Sequence, residues 1–110
     1  MANKDANDKV YEAIELAKAT GKLKRGSNEA TKALERGTAK LVAVAKDVTP
    51  PEIVMHIPLL AKEKGILCLQ VNSKDDLGAA AGINRPTAAI AIIEEGDAKK
   101  IIKELAEENK

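Results

Sequence analysis

Apolar residues in the first part of the chain recur at the spacing of an amphipathic helix. From about Lys9 to Thr20 they fall at positions 10, 13, 14 and 17, on one helix face, and Gly21 is a residue type that commonly ends a helix. The preceding residues 1–8 are small and polar. We therefore expect a flexible N-terminal tail over residues 1–8 and a single folded domain over residues 9–110.

A second helix is predicted between Gly26 and Gly37, after a short basic link or brief strand at Lys22–Arg25. Ser27 and Asn28 suit the first positions of this helix, because their side chains can accept hydrogen bonds from free backbone N–H groups. The apolar residues of the segment fall on one side at helical spacing. They are Ala30, Ala33 and Leu34.

Three apolar runs without charges predict strands that are covered on both faces. They are residues 41–45, 66–71 and 87–93. Between the last two, Ser73 can cap a helix over residues 74–81, with Asp76 at the capping-box position, and a loop follows at residues 82–86. A last helix is predicted to start at Gly96 and Asp97. Helices that alternate with buried strands are typical of an α/β domain whose sheet carries helices on both faces.

Two adjacent prolines after the first apolar run indicate a further helix start. Thr49 can cap this helix, Pro50 fits the first helical position and Glu52 completes a capping box. Pro58 is predicted to kink or restart the helix. A second short helix would then run up to Gly65, which ends it.

Composition limits the kinds of site that the domain can carry. Only one of the 110 residues is aromatic, Tyr11, which argues against RNA binding by a row of stacked aromatics. The single cysteine, Cys68, lies in an apolar run, so we expect it to be buried, and no disulfide can form within the chain. The one histidine, His56, lacks a cluster of further ligands, so we expect no metal site. No apolar run approaches ~18 residues, so we expect no membrane span or signal peptide and a cytoplasmic protein.

Charge is unevenly distributed along the chain, although the net charge is only +1. Residues 22–40 hold six basic and two acidic residues, whereas residues 94–110 hold six acidic and four basic ones. A basic end of this kind suits an electrostatic footprint for nucleic acid. Clustered lysines that only keep the protein soluble are an equally good explanation of this pattern.

The polar side of the helix at Gly26–Gly37 combines several kinds of hydrogen-bonding group. Glu29, Lys32 and Arg36 are three and four residues apart, so they form one outward row, and Asn28 lies beside its start. An amide, a carboxylate and two cations near a helix N-terminus can accept, donate and offset phosphate charge. The same residues also fit an ordinary solvated face, with Glu29 and Lys32 as a surface ion pair.

The segment Gly26–Gly37 resembles the signature of the large-subunit ribosomal protein seven-Ae family, the kink-turn RNA binders of archaeal and eukaryotic cells. Further matching stretches follow in the same order, and the resemblance runs from roughly Val10 to Gly96. They are residues 47–53, residues 56–60, and residues 73–78 together with residues 82–86. The resemblance implies a three-layer α/β/α sandwich around a roughly four-stranded mixed sheet.

The resemblance also implies a function, which is RNA binding without enzymatic activity and without a cofactor. Members of this family recognise the kink-turn, a bulge followed by tandem sheared G·A pairs. The implied partners are ribosomal RNA, box C/D and H/ACA guide RNA, ribonuclease P RNA and the proteins of these particles, whose assembly the protein would nucleate. The alternatives are a ribosome-only structural subunit of the same fold and, in a different class, a small nucleotide-binding α/β domain.

The resemblance carries over to individual residues at the start of the helix. It implies that Asn28 and Glu29 contact the guanines of the sheared pairs, because Glu29 can accept hydrogen bonds from guanine N–H groups and Asn28 can donate and accept. Lys32 would donate to guanine O6 or N7. Gly26 and Ser27 would let the backbone approach the RNA closely.

Other residues implied by the resemblance would contact phosphates or the bulge. The phosphate contacts would come from Lys24, Arg25, Arg36 and Lys74. An extruded bulge nucleotide would be covered by Ile53 and by the loop residues Ile83, Asn84, Arg85 and Pro86. Ile53 could equally be a core residue, Lys74 an ordinary lysine at a helix start, and Ile83 and Pro86 residues that only shape the loop. Many relatives carry an acidic residue where this chain has Thr49. The contact that the acidic residue would make is therefore either absent here or made by the Thr49 hydroxyl.

Overall fold

A computed structural model describes the backbone of residues 6–108 and the side chains of residues 8–108. Over this part of the chain, five α-helices and two short 3₁₀ turns alternate with four strands. The helices are α1 (Ala6–Thr20), α2 (Ser27–Arg36), α3 (His56–Lys64), α4 (Lys74–Ala80) and α5 (Lys99–Glu108). The strands are β1 (Lys22–Arg25), β2 (Leu41–Ala45), β3 (Leu67–Val71) and β4 (Ala89–Glu94), and the 3₁₀ turns are Pro51–Ile53 and Gly96–Ala98.

The four strands form one mixed sheet in the order β1-β4-β2-β3. Strand β4 pairs antiparallel with both β1 and β2, and β2 pairs parallel with β3. Strands β1, β2 and β3 therefore run in one direction and β4 runs against them. Helix α1 contacts both α4 and α5 on one face of the sheet, while α2 and α3 pack together on the other. This arrangement confirms the predicted α/β class, the three layers and the mixed four-stranded sheet.

The core is built from aliphatic side chains at the two central strands. Every residue of β2 is buried, as the unbroken apolar run predicts, and β4 is buried over its first four residues. Helix α2 adds its three predicted apolar residues to this core. In α5, Ile102 and Leu105 are buried, and Ala98 is buried in the 3₁₀ turn before it.

Strand β3 lies at the edge of the sheet, and here the prediction of a strand covered on both faces is wrong. Gln70 is exposed and Cys68 is only partly buried, because β3 has a neighbouring strand on one side alone. Partial burial still raises the pKa of the Cys68 thiol to about 11. The thiol is therefore protonated and poorly nucleophilic at neutral pH.

The helix predicted to begin at Thr49 is also not formed. Pro50 is extended, with φ −75° and ψ 152°, and only the 3₁₀ turn Pro51–Ile53 follows, without a side-chain cap. Helix α3 begins later, at His56. Pro58 is its third residue, where a backbone N–H would have no partner within the helix, so it neither kinks nor restarts α3. Gly65 ends α3 in the left-handed conformation, as predicted.

The remaining boundaries follow the predictions more closely. Helix α1 begins at Ala6, three residues before the expected position, and the rest of the predicted tail, residues 1–5, lies outside the described residues. Lys22–Arg25 is a strand, the second of the two options for that segment. The Ser73 hydroxyl caps α4 as predicted, by accepting from the Asp76 backbone N–H at 3.1 Å. Within residues 6–108, no helix is both long and apolar enough to cross a membrane.

Candidate nucleic-acid interface

The direction of the strands brings four loop segments to one edge of the sheet. The C-terminal ends of β1, β2 and β3 lie there together with the N-terminal end of β4, because β4 runs against the other three. We call this part of the molecule the loop edge. It consists of residues 26–27, 46–55, 72–73 and 82–88. Seven of the fourteen predicted site residues fall within these segments: Gly26, Ser27, Ile53, Ile83, Asn84, Arg85 and Pro86.

Gly26 connects β1 to α2 at the loop edge through a turn that only glycine adopts readily. Its φ is +101°, and its backbone N–H donates to the Ala89 carbonyl at 2.8 Å, which fixes the turn to the start of β4. The first hydrogen bond of α2 runs from the Ala30 N–H to the Gly26 carbonyl at 2.9 Å. No side chain caps the helix, so the predicted capping by Ser27 and Asn28 does not occur. The N–H groups at this helix start carry a partial positive charge toward solvent.

The polar side of α2 forms one wall of a groove beside the edge strand β1. The groove has a volume of about 210 Å³ and is basic in character. We call it the α2 groove, and its lining residues are Lys22, Lys24, Glu29, Lys32, Ala33, Arg36, Thr38 and Ile93. Lys22 and Lys24 reach it together because alternate residues of a strand point to the same side. The predicted row of Glu29, Lys32 and Arg36 is therefore brought next to predicted Lys24.

Glu29 and Lys32 form the surface ion pair that the spacing suggests. The Lys32 Nζ lies 3.6 Å from the Glu29 Oε2, and the two side chains keep 56% and 45% of their exposure. Exposed pairs of this kind contribute about 0–1 kcal/mol to folding. Both groups can therefore exchange this contact for another partner at little cost. Asn28 is exposed in the first turn of α2, next to Glu29.

Arg25 points to the other side of β1, toward the loop between α4 and β4. Its Nε and one terminal nitrogen donate to the Ala81 carbonyl at 3.0 and 2.9 Å, so part of its guanidinium is used within the protein. A second cavity, of about 280 Å³, opens beside it, and we call it the loop-edge cavity. It is lined by Arg25, Gly26, Ile83, Arg85, Pro86 and Thr87. Five of these six are predicted site residues, which the fold brings together from the end of β1, the turn at Gly26 and the loop 82–88.

The loop 82–88 lies across α4 because Gly78 leaves room for it. A Cβ atom at position 78 would stand 2.1 Å from the Arg85 carbonyl oxygen. The loop is also held by backbone hydrogen bonds, from the Ile83 N–H to the Gly78 carbonyl at 3.0 Å and from the Thr87 N–H to the Lys74 carbonyl at 3.1 Å. The absence of a side chain at Gly78 thus lets the loop that lines the loop-edge cavity pack against α4.

Lys74 lies at the junction of three loop-edge segments. Its backbone N–H donates to Asp47 Oδ1 at 2.8 Å, and its carbonyl accepts from Thr87. The Tyr11 hydroxyl reaches the adjacent Ser73 carbonyl from α1 at 3.5 Å, and burial raises the pKa of Tyr11. The backbone of Lys74 is therefore fixed, while its side chain remains partly exposed.

Replacing Asp47 with alanine is expected to lower the free energy of unfolding by about 1 kcal/mol, because the Lys74 N–H loses its acceptor in the protein. Urea denaturation measures this change. Glu52→Ala is the matched control, since Glu52 is an exposed carboxylate of the same loop-edge segment. If both variants lose the same free energy of unfolding, the hydrogen bond of Asp47 does not stabilise the protein.

Five predicted site residues line neither the α2 groove nor the loop-edge cavity: Ser27, Asn28, Ile53, Lys74 and Asn84. Ile53 is 42% exposed at the end of its 3₁₀ turn, so it is not a core residue. Asn84 is exposed in the loop 82–88. None of the fourteen predicted site residues is fully buried.

Several neighbours of these residues were not anticipated from the sequence. Lys22 and Thr38 line the α2 groove, and Asp47 and Thr87 hold the loop edge. The alternation of a strand could have indicated Lys22, because it lies two residues from Lys24. Asp47 accepts a hydrogen bond from Lys74, 27 positions away, and nothing in a single sequence indicates a contact between them. In the stretch 6–108, no group of three or more histidine, cysteine or acidic residues is arranged to hold a metal ion.

Comparison with known proteins identifies the family of this chain. Residues 8–102 match the ribosomal protein L7Ae/L30e/S12e/Gadd45 family. Among solved structures, the chain is similar to the Giardia lamblia 15.5kD RNA binding protein, with a TM-score of 0.89 and 31% sequence identity. That match covers 98% of this chain and 90% of the Giardia chain. A family match over most of the domain, together with a shared fold at this identity, shows that the chain belongs to the ribosomal protein L7Ae/L30e/S12e/Gadd45 family.

Proposed function

We propose that this protein binds RNA and recognises kink-turns through the start of α2 and the loop edge. The observation that carries the proposal is the start of α2, where the Asn28 amide and the Glu29 carboxylate in the first turn are followed by the Lys32 ammonium, beside a basic groove. Membership of a family that includes ribosomal proteins supports it, as does similarity to a protein described as RNA binding.

The side chains at the start of α2 suit guanine edges exposed in a bent RNA. The Glu29 carboxylate accepts from guanine N–H groups, and the Lys32 ammonium donates to O6 or N7. The side chain of Asn28 supplies both a donor and an acceptor. A regular A-form major groove is too deep and narrow for these side chains, so the proposal requires an RNA whose base edges are opened by non-canonical pairs.

The cations of the α2 groove suit the phosphate backbone that flanks such a site. Lys24 and Arg36 lie along the groove, and Lys22 extends it. Phosphate contacts fix position rather than sequence and make affinity dependent on salt. Lys74 and the free part of the Arg25 guanidinium would serve the same purpose at the loop edge.

The loop-edge cavity suits an extruded nucleotide of the bulge. Its volume of about 280 Å³ lies near the lower end of small-ligand pockets, roughly 300 Å³, and so has room for a single base. Ile83 and Pro86 offer apolar surface and Arg85 offers a cation. Ile53, exposed on its 3₁₀ turn, and Asn84 would add contacts at the rim.

In the cell, we propose that the protein acts in the large ribosomal subunit and in box C/D and H/ACA particles, with ribonuclease P RNA as a further partner. It would nucleate assembly with the proteins of these particles in an archaeal cytoplasm. A role restricted to the ribosome is the narrower alternative, which sequencing of RNA recovered with the protein would distinguish. A small nucleotide-binding α/β domain is disfavoured, because the turn between β1 and α2 holds one glycine rather than a glycine-rich phosphate loop.

A gel-shift comparison of two RNAs tests the proposal. One contains a kink-turn, and in the other the tandem G·A pairs are replaced by Watson–Crick pairs. We expect at least about 30-fold weaker binding to the second RNA, because several base contacts of about 1–3 kcal/mol each are lost. Equal binding to both RNAs would refute kink-turn recognition and leave only a general affinity for phosphate.

A further inference from the structure

A hydrogen-bonded pair joins α2 to α3 beside the proposed RNA site. The Thr31 Oγ1 lies 2.7 Å from the Ser27 carbonyl oxygen and 2.7 Å from the His56 Nε2. A threonine hydroxyl has a single hydrogen, and a carbonyl oxygen can only accept it. Thr31 therefore donates to Ser27, and His56 must donate from Nε2 to Thr31. His56 fulfils this role both as the neutral Nε2–H form and as the imidazolium.

This pair connects two separate parts of the proposed site. Ser27 is the first residue of α2 and precedes Asn28 and Glu29 directly. His56 is the first residue of α3 and follows the 3₁₀ turn that ends at Ile53. The chain between Ser27 and His56 passes through the whole of β2, so nothing local in sequence holds these two segments together.

We infer that Thr31 and His56 are positioning residues for RNA recognition, which set the first turn of α2 at a fixed place relative to the turn that carries Ile53. The inference rests on the proposed function, since it concerns the alignment of residues that the proposal assigns to guanines and to the bulge. The two residues act through the Ser27 carbonyl and the backbone of α3 rather than through contact with RNA.

The bond should matter more for binding than for folding. His56 is exposed, so water competes for its Nε2–H in the folded protein and the net stabilisation is small. Buried residues such as Leu34 on α2 and Ile57 on α3 already hold the two helices to the core. RNA binding, in contrast, requires both segments to be correctly placed at the same time. Without the bond, aligning the two segments would reduce the free energy of RNA binding.

Two pairs of variants separate positioning from a general structural effect. His56→Gln keeps an N–H donor at nearly the position of Nε2, whereas the side chain of His56→Asn is one bond shorter and does not reach Thr31. Thr31→Ser keeps the hydroxyl, whereas Thr31→Val has almost the same shape without it. We expect His56→Asn and Thr31→Val each to weaken kink-turn binding about three- to tenfold, and His56→Gln and Thr31→Ser to remain within about twofold of wild type.

The measurements are equilibrium titrations with a kink-turn RNA and with its Watson–Crick counterpart, and thermal melting of each protein. The inference predicts weaker binding of the kink-turn alone, unchanged binding of the counterpart and nearly equal melting temperatures. It also predicts that His56→Asn adds no further loss to Thr31→Val, because the two remove the same bond.

Three results would overturn the inference. If His56→Asn weakens binding but Thr31→Val does not, His56 acts on the RNA directly. If all four variants bind like wild type, the bond has no role in recognition although the proposed function stands. If wild-type protein does not distinguish the two RNAs, the proposed function and the inference fail together.

Discussion

Replacing Glu29 with alanine is expected to weaken binding to a kink-turn RNA by about 1–3 kcal/mol, or roughly 5- to 150-fold. The carboxylate is the only acceptor-only group in the row on α2, and guanine N–H groups left without it would be desolvated and unpaired. The lost contact with Lys32 is exposed in the free protein and contributes little to folding. Isothermal titration at fixed salt measures the effect.

Glu35→Ala provides the matched control for charge. Glu35 is exposed on the same helix and does not line the α2 groove, and its removal changes the net charge by the same amount. If binding depended only on charge attraction to phosphates, each variant would bind slightly more tightly, because each removes one negative charge. Base recognition by Glu29 predicts opposite outcomes, with weaker binding for Glu29→Ala only. If the two variants behave alike, Glu29 does not belong to the site.

Replacing Gly78 with alanine is expected to destabilise the protein by about 1–3 kcal/mol and to open the loop-edge cavity. The new Cβ would lie 2.1 Å from the Arg85 carbonyl oxygen and 3.3 Å from the Pro86 Cα, both of them backbone atoms that cannot simply rotate away. Within a helix alanine is favoured over glycine by about 1 kcal/mol. A net loss of stability would therefore show that the clash of the new Cβ outweighs the gain in helix propensity.

Denaturant unfolding and RNA titration together test the role of Gly78. The loop 82–88 must shift to accept the Cβ, so we also expect weaker binding of a kink-turn RNA. Ala79→Leu adds a larger side chain to the neighbouring exposed position of α4 and should change stability by no more than about 0.5 kcal/mol. A Gly78→Ala protein as stable as wild type would contradict the close approach of the loop.

The elements that the sequence predicts best are those whose signals are local. The apolar positions of α2 and the unbroken run of β2 follow from periodicity alone, and Ser73 caps α4 as its position suggests. The helix expected at Thr49 fails for an equally local reason. Pro51 restricts the residue before it to extended conformations, and Pro50 is accordingly extended, so the cap and capping box have no helix to start.

What the sequence could not supply is the placement of distant segments. An apolar run does not reveal whether its strand lies inside a sheet or at its edge, so the exposure of Gln70 was not foreseen. The grouping of Ile83, Arg85 and Pro86 with Arg25 depends on the pairing of β1 with β4, which no local pattern in the sequence indicates. Thr31 and His56 are 25 positions apart, and neither signals the other.

One short strand supplies cations to both sides of the sheet. Lys24 lines the α2 groove and Arg25 the loop-edge cavity, because successive residues of β1 point in opposite directions. Slipping β1 by one residue against β4 would exchange these side chains between the two sites and would bring buried Leu23 to solvent. Burial of Leu23 thus fixes the register of β1, and with it the positions of Lys24 in the α2 groove and Arg25 in the loop-edge cavity.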